Sequence, residues 1–132
     1  MTIKLTADQE KLLHDKNFAH VATLNPDGSP QVTPVWVEYD GTNVIINSEQ
    51  KRKKVKNMER DPRVSLSIAD AANPYKYIEI RGKVVAMTTE GANDVIDQLA
   101  KKYMNADKYP YHRPGDVRVT IKIAPELVKG MG

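Results

Sequence analysis

The 132-residue chain contains no cysteine. That excludes disulfides, thiolate zinc sites and iron–sulfur clusters, although the lack is compatible with any redox compartment. No apolar run approaches the roughly 18 residues of a membrane-spanning helix. Residues 1–10 are polar and carry no apolar signal region, so a cytoplasmic protein without membrane contact is the expectation. Internal repeats, low-complexity tracts and linkers are also missing. The three histidines, His14, His20 and His112, lie far apart without metal-ligand spacing, so no metal is expected. No Ser-His-Asp set or carboxylate pair stands out, and no aromatic pair of the RNA-binding type appears, which argues against nucleic acid as a partner.

What is present reads as a soluble globular chain, 40% apolar and 28% charged, and its length suits a single domain over residues 1–132. The formal net charge is +3, and the excess is concentrated in Lys51, Arg52, Lys53, Lys54 and Lys56. Such a run either binds phosphate or nucleic acid or is simply solvated.

The pattern along the chain predicts a mainly β protein with two to three short helices. A helix over Thr6–Lys16 has Thr6 or Asp8 as cap, with Leu12 and Leu13 as its apolar face. Strands over Phe18–Leu24 and Gln31–Tyr39 flank the turn Asn25-Pro26-Asp27-Gly28-Ser29 and form a hairpin. Pro34 cannot donate to a ladder, so it marks an edge, a bulge or a place where a ligand takes over the backbone groups. A third strand, Val44–Asn47, leads to a helix from about Glu49 to Arg60 with Ser48 as N-cap. Arg63–Ala69 alternates as a half-buried strand. Tyr75–Met87 is a long strand with a bulge or bend at Gly82. A helix capped by Thr88 or Thr89 runs to about Met104, with Ile96, Leu99, Ala100 and Tyr103 on one stripe. Val117–Ile123 is the clearest alternating strand, ended by Pro125. About six antiparallel strands result, and barrel closure would remove their edges.

Chemistry concentrates after the third strand. A helix N-terminus offers unpaired N–H groups and positive potential, and the adjacent lysines and arginine add point charges and a planar fork. A phosphate site and a solvated basic helix face both fit this pattern.

The segment Asn47–Val64, with its basic pair Lys53-Lys54, then Asn57, then Asp61-Pro62-Arg63-Val64, resembles the phosphate-binding segment of the pyridoxamine-phosphate-oxidase-like split barrels. The usual pair is Arg-Lys, which leaves Arg52 able to take the arginine's part. Phe18–Leu24, Asp27-Gly28-Ser29-Pro30 and Pro34-Val35-Trp36-Val37 are similar to the opening hairpin of the deazaflavin-dependent branch. Tyr77–Val84 resembles the family's long strand. The resemblance covers roughly residues 18–125.

It implies a six-stranded Greek-key split β-barrel of the FMN-binding type, a homodimer with two cofactor sites at the subunit interface. Pro34, Val35, Trp36 and Val37 would lie along the ring. Ser48, Arg52, Lys53 and Lys54 would hold the phosphate with Asn57 nearby, Asn47 would belong to the same cofactor site, and Tyr77 would come from the partner. Flavin oxidases usually carry lysine and arginine at the positions of Val37 and Val32; both are apolar here, which favours coenzyme F420 over FMN. The implied activity is hydride transfer between F420 and an organic acceptor. The alternatives are an FMN-dependent oxidase or flavin reductase, and a cofactor-storage protein. Tyr103, Tyr109, Tyr111, His112 and Arg113 are read either as a plain surface loop or as a rim over the cofactor. In the second case His112 is a candidate proton donor.

Overall fold

The computed structural model describes residues 3–131. Helix α1 (Ala7–His14) begins with reciprocal bonds: the Gln9 amide donates to Thr6 Oγ1 at 3.3 Å, and the Thr6 amide donates to Gln9 Oε1 at 2.9 Å. This capping box satisfies two backbone donors that a helix start leaves open, and Leu12 and Leu13 turn inward from it.

The strands are β1 (Ala19–Leu24), β2 (Pro30–Val35), β3 (Glu38–Tyr39), β4 (Val44–Glu49), β5 (Arg63–Ala69), β6 (Tyr77–Thr88) and β7 (Arg118–Met131). Helix α2 (Lys53–Arg60) lies between β4 and β5, and helix α3 (Ala92–Met104) between β6 and β7. All strand pairs are antiparallel, in the order β2-β1-β5-β6-β7-β4-β3. Strands β5, β6 and β7 are sequential neighbours with β4 beside β7, a Greek-key path. The two outermost strands, β2 and β3, are joined by Trp36 and Val37 alone. Two linking residues reach no more than about 11 Å between the strand ends, so the sheet must curl until its edges nearly meet. The wall is split along that seam. Its concave side holds one core, including Leu13, Val21, Ile46, Leu66, Ile80 and Ile121. A second cluster lies under α3, where Ile96, Leu99 and Tyr103 pack with Trp36, Val95 and Tyr109.

The architecture departs from the sequence expectation in four places. The strand expected over Gln31–Tyr39 breaks at Trp36–Val37, giving seven strands rather than six. Ser48 belongs to β4 and does not cap α2; the N-cap is Arg52, without a side-chain bond, after a turn through residues 50–52. Gly91, at φ 74°, precedes α3 in place of Thr88 or Thr89. Pro125 does not end β7. It sits beside a register shift opposite Gly82, where its missing N–H interrupts no regular ladder, and its carbonyl accepts the Ile3 amide at 2.8 Å. The bulge expected at Gly82 is present. Pro34 lies in β2, which pairs with β1 only, and edge strands tolerate proline.

Candidate functional site

Helix α2 turns Lys54, Val55, Asn57 and Met58 inward and leaves Lys53 and Lys56 outside. Lys54 lies four residues before Met58, so both share the face that packs on the barrel. The Lys54 side chain is therefore only 5% exposed. Among the described residues it has no hydrogen bond or ion pair within bonding distance. Burial, and then the positive charges of Arg52 and Arg118, lower its ammonium pKa to about 8.

Lys54 opens into a cleft of about 390 Å³ that also collects Arg52, Arg118, Asn47 and Ser48. Arg118, from the start of β7, is 9% exposed. Its Nε donates to Asn47 Oδ1 at 2.9 Å, and its guanidinium sits 5.0 Å above the Tyr109 ring. Burial lowers its pKa. Asn47 in turn donates to the Ala92 carbonyl at 2.9 Å, tying β4 to the head of α3. Ser48 makes only a long 3.4 Å bond to the Glu49 carbonyl, so its hydroxyl can turn to a ligand oxygen. Glu49 is the one carboxylate on the cleft wall. It accepts the Lys51 and Val117 amides at 2.8 and 3.0 Å, and those bonds hold its pKa down. No described carboxylate forms an ion pair with Arg52, Lys54 or Arg118. Lys54 is a nearly buried cation with like charges and no carboxylate beside it, which is unfavourable, and an anion entering the cleft would relieve it.

The rest of the lining is aromatic and apolar. Five of the chain's eight aromatic residues form a connected run beside the cleft. Phe18 and Trp36 each stack on Tyr103, with centroids 5.7 and 5.3 Å apart. Tyr109 meets Trp36 edge-on at 6.0 Å, and Tyr111 meets Tyr109 edge-on at 5.7 Å. Phe18, Pro34, Val35, Trp36, Tyr109 and Tyr111 line the cleft; Tyr103 backs it. A flat, partly apolar ring with a phosphate arm matches this division of the lining.

Of the residues singled out in the sequence, Pro34, Val35, Trp36, Asn47, Ser48, Arg52 and Lys54 come together here. The others lie elsewhere. Val37 is fully buried, with its N–H and C=O bonded to α3 side chains. Lys53 points to solvent. Asn57 is buried and donates to Thr23 Oγ1 and Asn25 Oδ1 at 3.0 and 3.1 Å, tying α2 to the first hairpin. Tyr77 is 39% exposed and lines a separate small cleft against α1. Val32 is exposed on the outside of β2. His112 lies on an adjoining cleft that shares Glu49, Arg52, Tyr109, Tyr111 and Arg118 with the main one. Among the described residues no group of three or more His, Cys, Asp or Glu side chains could hold a metal.

Arg118 is the functional candidate that the sequence reading missed. It reads as the outward partner of Val119 in an alternating strand, and only Tyr109, from the loop after α3, and Asn47 of β4 cover it in the fold. Arg118→Lys keeps the charge but loses both the planar contact with Tyr109 and the bond to Asn47. An anion's affinity for the cleft should then fall about 3- to 10-fold, given roughly 1 kcal/mol per lost hydrogen bond; calorimetric titration measures it.

A sequence model of the pyridoxamine 5'-phosphate oxidase family matches residues 5–132. Among solved structures, an F420 reductase is 31% identical, with 95% of this chain and 98% of that one aligned and a TM-score of 0.83. A conserved hypothetical protein from Mycobacterium tuberculosis is 21% identical over 96% of this chain and 84% of that one, with a TM-score of 0.75. General Stress Protein 26 from Bacillus anthracis is 16% identical over 92% and 88% of the respective chains, with a TM-score of 0.67. The last two show likeness of fold. No curated protein sequence matches.

Proposed function

The chain belongs to the pyridoxamine 5'-phosphate oxidase family, and from that premise we propose that it is an F420-dependent oxidoreductase that exchanges hydride with a conjugated organic acceptor such as a quinone, an enone or a tetrapyrrole. The observation that carries this reading is Lys54, a buried cation without a hydrogen-bond or ion-pair partner among the described residues, in one cleft with Arg52, Arg118 and a run of aromatic rings. The 31% identity to an F420 reductase over nearly the whole of both chains supports the deazaflavin over FMN.

Lys54, Arg118 and Arg52 hold the phosphate, helped by the Ser48 hydroxyl and by Asn47 acting through Arg118. Pro34, Val35 and Trp36 lie along the ring, and Tyr109 and Tyr111 shield it from water. The bound cofactor supplies the hydride chemistry itself, and the protein supplies position and electrostatics. His112, at the mouth of the adjoining cleft, is the proton donor in this reading.

The protein acts as a cytoplasmic homodimer. Phe18, on the cleft, and Val32, on the outside of the edge strand β2, are large apolar side chains left exposed, and a second copy covers them. Tyr77 is turned away from its own chain's cleft, so the partner's Tyr77 is the one that completes the site.

Titration with F420 and with FMN, following cofactor fluorescence and Trp36 quenching, tests the reading. Micromolar or tighter F420 binding with weaker FMN binding is expected. The reverse order establishes the flavin alternative. F420 binding without turnover of any quinone, enone or tetrapyrrole makes it a storage protein.

The pH dependence follows from Lys54. In the free protein its ammonium loses its proton near pH 8, and only the charged form attracts phosphate. Affinity is therefore full below that value and falls as pH rises through it, by about tenfold between pH 7 and pH 9. A flat profile over that range would remove Lys54 from the phosphate site.

A further inference from the structure

The seam between β2 and β3 leaves a backbone problem that neither strand solves. Val37 sits where the chain crosses from one edge of the sheet to the other, so no ladder supplies partners for its buried N–H and C=O. Both partners come instead from consecutive residues of α3. The Val37 amide donates to the Tyr103 hydroxyl at 3.1 Å, and that hydroxyl donates to the Asn17 carbonyl at 2.5 Å. Lys102 Nζ donates to the Val37 carbonyl at 2.7 Å and to the Leu13 carbonyl at 2.6 Å. Glu38 lies 3.4 Å from the same ammonium. Two of the lysine's three donors are thus taken by backbone carbonyls, a carboxylate stands beside the ammonium, and its side chain is only 14% exposed. The Tyr103 ring lies parallel to the Trp36 indole, with 4° between the planes. One turn of α3 therefore fixes both the backbone of the crossover and the plane of the indole beside it. Neither Lys102 nor Tyr103 lines the cleft.

We propose that Lys102 and Tyr103 are positioning residues: by bonding both polar groups of Val37 and stacking on Trp36, they set the width and tilt of the slot that receives the cofactor ring. The proposal rests on the cofactor reading of the cleft. Its physical content is that, among the described residues, these two side chains are the only hydrogen-bond partners of the Val37 backbone, so loosening them lets Val35 and Trp36 drift while every residue facing the cofactor is still present. A shift of a few tenths of an ångström in a planar slot reduces affinity without removing a single direct contact.

The test uses the full chain with Tyr103→Phe, Lys102→Met, Lys102→Arg and, as a control on the exposed side of the same helix, Lys101→Met. Three quantities are measured: amide exchange at Val37 without cofactor, emission of Trp36, which is the chain's single tryptophan, and the Kd for F420 and FMN. Tyr103→Phe should speed Val37 exchange at least about tenfold, as loss of one buried hydrogen bond implies. Tyr103→Phe and Lys102→Met should each shift Trp36 emission and weaken cofactor binding about tenfold. Lys102→Arg, which keeps charge and donors, should recover most of that loss, and Lys101→Met should match the parent throughout. Unchanged affinity in Tyr103→Phe and Lys102→Met, with Val37 protection lost, overturns the positioning role and leaves a merely structural one. If the parent binds neither F420 nor FMN, the cofactor reading fails on its own account. The clamp is then judged by Val37 exchange and Trp36 emission, and unchanged values in Tyr103→Phe overturn it.

Discussion

Lys54→Met is expected to move binding and stability in opposite directions. Loss of the ammonium removes a charge-assisted bond to phosphate of about 1.5–3 kcal/mol, so the Kd for the phosphate-bearing cofactor should rise about 10- to 100-fold. The free protein should become more stable. The Lys54 ammonium is nearly buried, with two like charges near it and no counter-ion, and its pKa falls from 10.5 to about 8. That shift corresponds to a penalty on the order of 3 kcal/mol whenever the group is charged in the folded state. Methionine is of similar length and fills the same path through the apolar face of α2. A gain of about 1–3 kcal/mol at pH 7 is therefore expected, in line with replacements of other buried charges, and denaturant melts of the cofactor-free protein would measure it. Between pH 8 and 10.5 the unfolded chain holds this proton while the folded chain has released it. Stability contributed by this group therefore rises with pH in that window. The rise should be present in the parent and absent in Lys54→Met. Equal stability of the two proteins across that window, or unchanged affinity, would refute the account of the site.

Gly82→Ala carries the largest expected loss of stability. At the bulge between β6 and β7 the backbone of Gly82 lies against Ala124, and an added Cβ would collide with the Ala124 carbonyl oxygen, with Ile123 Cγ2 also close at 3.2 Å. The obstacle is backbone in the centre of the sheet, not the movable end of a side chain, so relief requires separating β6 from β7. A loss above about 3 kcal/mol is expected, beyond ordinary overpacking. Against a total stability of about 5–15 kcal/mol this lowers the melting temperature by roughly 10 °C or more. Calorimetry decides it, and a shift below a few degrees would mean that the strands can part there. Gly28, where an added Cβ would meet nothing within 4 Å, makes a useful contrast: its φ of 86° strains any other residue, but only locally and in an exposed turn.

Much of this molecule is readable from short-range rules, and the failures share a cause. The alternation of Val64, Leu66 and Ile68 and the turn at Asn25–Ser29 depend on neighbours in sequence, and both appear as read. The inward turn of Lys54 also follows from local pattern, because Lys54 and Met58 are one helical turn apart. What eluded the sequence depends on distant elements. Pro125 reads as a terminator until a bulge forms opposite Gly82. Val37 reads as a strand residue until the seam of the barrel falls on it. Arg118 reads as a solvent-facing position because alternation implies one covered face, whereas the far side of β7 at this position is covered by Tyr109 from the loop after α3. Asn57 was placed near the phosphate by resemblance, yet its side chain bonds across to the β1–β2 hairpin.

The place of β7 in the sheet has a consequence for how the chain reaches this state. The strand formed last in sequence lies inside the sheet, between β6 and β4. Without it the sheet is two pieces: four strands, β2-β1-β5-β6, and the short pair β4-β3, with nothing to hold them in register. The Asn47, Ser48 and Arg118 corner cannot exist before that final strand arrives, because it is where β4 meets β7. Assembly is governed by contacts between residues more than 70 positions apart, such as Asn47 with Thr120, and such contacts are slow to form because loop closure precedes any reward. This corner of the candidate cleft is thus a late product of folding, and its appearance, followed by binding of the proposed cofactor during refolding, should coincide with the final cooperative phase and not with early collapse.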